Sequence, residues 1–97
     1  MILTFKSISI EITPKAQKDL TRVPQQIAEK FQLWADSIKL KGLNRVRQIP
    51  GYHDEPLKGK RVGQRSIRLN RSYRAIYEVI DGNAIIIQVQ EVTKHDY

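Results

Sequence analysis

A chain of 97 residues is enough for one modest hydrophobic core and too short for two independent ones, so a single domain spanning 1–97 is expected. The absence of cysteine excludes disulfide frameworks, thiol nucleophiles and thiolate metal sites. Seventeen Lys and Arg against ten Asp and Glu give a net charge of +7, which favours a polyanionic partner: nucleic acid, an anionic membrane surface or an acidic protein.

The opening residues Met1 to Lys6 are broken by polar side chains and lack a signal peptide's apolar stretch, and nowhere do apolar residues run long enough to span a membrane. A soluble, cytoplasmic protein without a membrane partner is expected. Residues 2–12 are rich in β-branched side chains and read as a strand, and apolar residues on both parities predict an inner one. Thr13-Pro14 reads as an N-cap followed by proline at the first helical position, where its missing N–H costs nothing. A short helix with Ala16 and Leu20 on one face follows.

Pro24 opens a longer helix in which Ile27, Phe31, Trp34 and Ile38 recur at spacings of four, three and four. Trp34 in that stripe is expected in the core rather than as a base-stacking platform. Gly42 is the natural C-terminal stop. Residues 43–63 hold Pro50, Gly51, Pro56, Gly59 and Gly63 and read as a loop. Two strands, Gln64 to Leu69 and Tyr73 to Ile80, are joined by an Asn70-Arg71-Ser72 turn. Asp81-Gly82 then turns the chain into a last strand from Ala84 to Val92. The expected class is α+β in the order β-α-α-β-β-β, a helical hairpin on one face of a mainly antiparallel four-stranded sheet.

Between Arg45 and Arg74 lie nine basic residues, including Lys58, Lys60, Arg61, Arg65, Arg68 and Arg74, opposed in sequence only by Asp54 and Glu55. Such a stripe suits a phosphate backbone better than an ordinary solvated face, which mixes signs. Parity puts Gln64, Ser66 and Arg68 on one side of their strand and Ile67 and Leu69 on the other. Arg74 can join Arg68 away from the helices, where two guanidiniums straddle one phosphate. The chain ends in Thr93-Lys94-His95-Asp96-Tyr97, which adds a histidine, a carboxylate and a phenol. Cleaving RNA without a metal needs a base for the 2′-hydroxyl, cations for the pentacoordinate phosphate and an acid for the leaving 5′-oxygen. Glu55 or His53, Arg68 with Arg74, and His95 answer to those needs. Two histidines, no cysteine and dispersed acids make a metal site the less natural choice, and no cofactor motif is present.

Glu55-Pro56-Leu57-Lys58-Gly59, Ser66-Ile67-Arg68-Leu69, Ser72-Tyr73-Arg74-Ala75-Ile76-Tyr77-Glu78 and the terminal His95-Asp96-Tyr97 resemble the RelE/ParE superfamily of toxins, in particular its ribosome-dependent mRNA interferase branch. The resemblance implies a toxin of a type II toxin–antitoxin system that cuts translated mRNA. Arg74 and Arg68 would hold the scissile phosphate, Glu55 would be a candidate general base, and His95 a candidate general acid. His53 is a further acid–base candidate. Lys58 would contact phosphate and Tyr97 would stack on or orient the RNA, while Lys60, Arg61 and Arg65 are expected RNA contacts from the basic stripe itself. The resemblance also implies two partners, a cognate antitoxin within an oligomeric complex and the 70S ribosome with its mRNA. Ser66, Arg65 and His95 depart from residues found at those places in relatives, His95 lying where RelE has arginine, which leaves the roles of Glu55, His53 and His95 open. ParE-like toxins of the same fold inhibit DNA gyrase instead of cutting RNA, and a non-catalytic RNA-binding module is a third possibility.

Overall fold

The computed structural model describes residues 7–82 and 84–94. Its elements are β1 (Ile8–Ile12), α1 (Pro14–Arg22), α2 (Gln25–Lys41), α3 (Leu43–Arg47), β2 (Glu55–Pro56), β3 (Gln64–Arg68), β4 (Tyr73–Asp81) and β5 (Ile85–Lys94), with single 3-10 turns at Pro50–Tyr52 and Gly59–Arg61. The α+β class and the helices on one face of a mainly antiparallel sheet are as expected. The sheet has five strands rather than four, in the order β1-β5-β4-β3-β2. The β3-β4-β5 meander is antiparallel, β2 adds an antiparallel edge, and β1 lies parallel to β5.

Thr13 caps α1 as its sequence position suggests: its Oγ1 accepts from the Ala16 N–H at 3.1 Å, with Pro14 at the first turn. The same hydroxyl donates to the Gln90 carbonyl at 2.9 Å, and Asp19 Oδ2 accepts from the Val92 N–H at 3.0 Å. Beyond Val89 the outer side of β5 has no β1 partner, so these side chains of α1 cover backbone that would otherwise form an open edge. Thr13→Ala removes both bonds and is expected to lower unfolding free energy by about 1–2 kcal/mol, read from urea denaturation; an unchanged midpoint would mean water replaces them at no cost.

The stripe of α2 is buried as predicted: Ile27 and Phe31 are 3 % exposed, Trp34 and Ile38 0 %. Trp34 packs between Phe31 and Tyr77, with ring centroids 5.8 and 5.3 Å away. From the sheet Ile67, Leu69, Ala75, Tyr77, Ile87, Val89 and Val92 meet the helices. Gly42 ends α2 at φ 87°, a conformation glycine adopts without steric penalty. Among the described residues no helix is long and apolar enough to cross a membrane.

Two local expectations change. β1 pairs only with β5 and is an edge strand, with Ile12 36 % exposed; Ile8 and Ile10 pack on the core while Ser9 and Glu11 are exposed, so one face alone is covered. Residues 43–63 are not all loop. Leu43 and Val46, three apart, turn one apolar side inward and form α3, with Val46 1 % exposed. Downstream, Glu55 and Pro56 pair with Ser66 and Arg65 as β2. The Asn70 turn is as expected: its Oδ1 accepts from the Ser72 and Tyr73 N–H groups, both at 2.7 Å.

Candidate active site on the open face of the sheet

The β3–β4 register sets Gln64 against Glu78, Ser66 against Ile76 and Arg68 against Arg74 on the side away from the helices. Glu55 lies beside Ser66 on β2, and on β5 Glu91 lies beside Ile76 and Thr93 beside Arg74. Glu55, Leu57, Arg61, Ser66, Arg74, Ile76, Glu91 and Thr93 bound an open cleft of about 360 Å³, and Gln64, Arg68 and Glu78 lie on the same face of the sheet outside that lining. The floor of the cleft is formed by buried side chains, Ile76 at 6 % and Ser66 at 1 % exposure. Its walls carry both signs of charge.

Arg74 is the centre of the cleft. Its Nη1 reaches Glu55 Oε1 at 3.5 Å and donates to Ser66 Oγ at 3.3 Å. Glu55 in turn stands 3.6 Å from His53, Oε2 to Nε2, so the two acid–base candidates are neighbours. Arg68 sits directly across from Arg74, and like charges so placed disfavour the pairing unless an anion lies between them. The Arg68 Nε–H is buried with no acceptor among the described residues. A buried donor without a partner costs free energy that an incoming phosphate oxygen would recover.

The other expected contacts divide. Arg61 is at the cleft mouth, donating to Glu91 Oε1 at 2.6 Å and to Gln64 Oε1 at 3.1 Å. Lys58 and Lys60 are exposed on the same 3-10 segment but do not line the cleft. Arg65 faces the other way. Its side chain alternates to the helix side of β3, where its Nε donates to Asp54 Oδ1 at 2.6 Å, so it lies away from the cleft. Burial alone would lower the Arg65 pKa, but the Asp54 hydrogen bond and charge outweigh it and raise the value. His95 and Tyr97 lie outside the described residues.

Three further residues take part in or beneath the site. Glu91 and Thr93 enter the cleft because β5 has one extra residue: Tyr77 pairs with Val89 but Ile76 pairs with Glu91, leaving Gln90 bulged. Strict alternation from Ile87 and Val89 would have sent Glu91 and Thr93 to the helix side. Glu91 then bridges Arg61 and Lys15, the latter at 3.3 Å. Asp54 is the third, its side chain 1 % exposed beneath the cleft.

Tyr77 donates to Asp54 Oδ2 at 2.5 Å and accepts from Arg47 Nε at 3.3 Å. Burial first, and then the hydrogen bond to Asp54, push its phenol from the ordinary 10 up to about 12. The folded protein therefore favours the neutral phenol, a contribution complete below pH 10 and lost as pH rises from there through about 12. The wild-type melting temperature is expected to fall more steeply across that window than that of Tyr77→Phe; parallel curves would show that the phenol does not carry the effect.

A larger recess of about 450 Å³ lies on the helix side between the α2–α3 corner and the far end of β4, with Lys41, Arg45 and Arg47 at its rim. It contains none of the acid–base set. The chemistry is gathered on the open face.

Fold and site together make a small basic α+β protein with guanidiniums and carboxylates gathered on the open face of the sheet. The family model for the ParE toxin of type II toxin–antitoxin systems, parDE, matches residues 10–96, and the chain belongs to that family. Among solved structures it is similar to YafQ from Escherichia coli BL21(DE3), at 17% identity and a TM-score of 0.73 over 91% of this chain and 93% of that one. It is also similar to a YoeB/ParE toxin from Agrobacterium tumefaciens, at 22% identity and 0.65 over 90% and 98%. A third likeness is to a chain of the Escherichia coli DinJ-YafQ toxin–antitoxin complex, at 19% identity and 0.69 over 92% and 93%. No curated protein matches it by sequence.

Proposed function

We propose that this toxin is an endoribonuclease that cuts messenger RNA engaged in the 70S ribosome, by acid–base chemistry at the open-face cleft. The observation that carries the reading is the meeting of Arg74 with Glu55 and Ser66, with Arg68 opposite and His53 beside Glu55. Glu55, or His53 through it, takes the 2′-hydroxyl proton. The 2′-oxygen attacks phosphorus while Arg68 and Arg74 meet the charge growing on the pentacoordinate phosphate. The bond to the 5′-oxygen breaks, and that oxygen takes a proton from the acid, for which His95 is the candidate. The products are a 2′,3′-cyclic phosphate and a 5′-hydroxyl.

An open cleft offers little to hold a flexible RNA in line, and the ribosome supplies that order by presenting mRNA in a fixed path. The antitoxin is the second partner. A net charge of +7 suits an acidic segment that wraps the domain and masks or distorts the basic face, within an oligomeric complex. The DinJ-YafQ toxin–antitoxin complex offers a precedent for such an assembly on this fold.

Inhibition of DNA gyrase is the second reading, favoured by the ParE description of the matching family. The grouped acid–base residues weigh against it, since a protein that only binds has no use for Glu55 and His53 beside the guanidiniums. The test is cell-free translation with primer extension on one defined mRNA, run with and without ribosomes beside a gyrase supercoiling assay. Cuts within codons that need ribosomes, with supercoiling intact, are expected. Intact mRNA with blocked supercoiling would replace the nuclease reading with the other.

A further inference from the structure

Between the two acid–base candidates stands a carboxylate that the reaction does not use. Asp54 follows His53 and precedes Glu55, yet its side chain turns away from the cleft and is 1 % exposed. Both of its oxygens are engaged, Oδ1 by Arg65 Nε at 2.6 Å and Oδ2 by the Tyr77 hydroxyl at 2.5 Å. Arg65 and Tyr77 are themselves cross-strand partners on β3 and β4, so the carboxylate is gripped from two strands at one point. Arg47 of α3 donates to the Tyr77 oxygen at 3.3 Å, which leaves the phenolic proton directed at Asp54.

We infer that Asp54 is a positioning residue of the cleavage site: anchored under the loop by Arg65 and Tyr77, it sets where His53 and Glu55 stand relative to Arg74. This rests on the nuclease reading. Stability alone does not call for the arrangement, since a buried ion pair is often no better than an apolar pair of the same shape. The segment it anchors does need holding. β2 is two residues long and lies at the sheet edge, and beyond it one backbone bond, Leu57 N–H to Gln64 O at 2.9 Å, continues the pairing.

The backbone points the same way. His53 adopts φ 46° and ψ 51°, the left-handed region, which strains a side-chain-bearing residue and persists only where surrounding contacts impose it. That turn sends Asp54 inward and leaves the next side chain, Glu55, over the open face 3.5 Å from Arg74. Tyr77, with its pKa pushed up to about 12, stays protonated at every working pH and so remains a donor. Release of Asp54 would free His53 and Glu55 to move by an ångström or more, and errors of that size in a reacting group can cost about 100-fold in rate.

The test uses the full chain as wild type, Asp54→Asn and Tyr77→Phe, the last a variant that keeps the buried ring and removes one hydroxyl. Single-turnover cleavage of mRNA on programmed ribosomes is measured well below each melting temperature, together with toxin affinity for the ribosome complex. Tyr77→Phe is expected to slow cleavage about threefold to tenfold and Asp54→Asn more, with affinity unchanged within about twofold. A folded Tyr77→Phe that cleaves at the wild-type rate would overturn the inference and leave Asp54 a purely structural residue. Amide NMR spectra of the free toxin form an arm independent of activity. The His53 and Glu55 resonances are expected to shift in Tyr77→Phe, and superimposable resonances would also overturn it. If the wild type cuts nothing, the nuclease reading fails by itself, and the NMR arm still shows whether the anchor holds the loop.

Discussion

Arg74→Ala is expected to slow mRNA cleavage by a factor on the order of 100 or more, since one preorganised donor aimed at developing charge is typically worth about 3 kcal/mol. The side chain is 12 % exposed and lies among Glu55, Ser66 and the facing Arg68, so its charge acts in a partly dehydrated setting where it is weakly screened. The fold should tolerate the change. Alanine at this position removes a like-charge cross-strand pair and leaves Glu55 half-exposed, where water can solvate it. The check is single-turnover cleavage on programmed ribosomes beside a thermal melt. Full cleavage by a normally folded Arg74→Ala would remove this residue from the site.

Glu55→Gln is expected to cost at least a further comparable factor, because a positioned general base contributes about 100- to 10,000-fold. Glutamine keeps the shape and can still accept a hydrogen bond from Arg74, but it cannot take the 2′-hydroxyl proton at neutral pH. Affinity for RNA should hold or tighten, since a negative charge leaves a basic cleft. A fall in rate with retained binding identifies the base. An unchanged rate in Glu55→Gln together with a loss in His53→Gln would transfer the role to the imidazole 3.6 Å away.

Much of this arrangement is legible in the amino-acid sequence, because it depends on local rules. Thr13-Pro14 starts a helix, the Ile27-Phe31-Trp34-Ile38 stripe is buried, and the alternation around Ile67 puts Arg68 on the open face opposite Arg74. What stays hidden depends on contacts distant in sequence. Gln90 bulges where α1 takes up the outer side of β5, and that single extra residue rotates Glu91 and Thr93 into the cleft. Arg65 reads as one more base in a stripe, since nothing local reveals that Asp54 folds under to meet it. The Glu55–Pro56 strand and α3 fall among turn-forming residues and are too short to leave a periodic signal.

The most direct measurement of the central claim is the chemistry of the ends left in the mRNA. Ribosomes programmed with one defined message would be treated with the toxin, and the downstream fragment tested for direct phosphorylation by polynucleotide kinase without prior phosphatase. Attack by the 2′-hydroxyl under acid–base control predicts a 5′-hydroxyl that accepts the label, matched upstream by a 2′,3′-cyclic phosphate. A 5′-phosphate on the downstream fragment would contradict the account, because it would mean that water, not the neighbouring 2′-hydroxyl, had been the nucleophile.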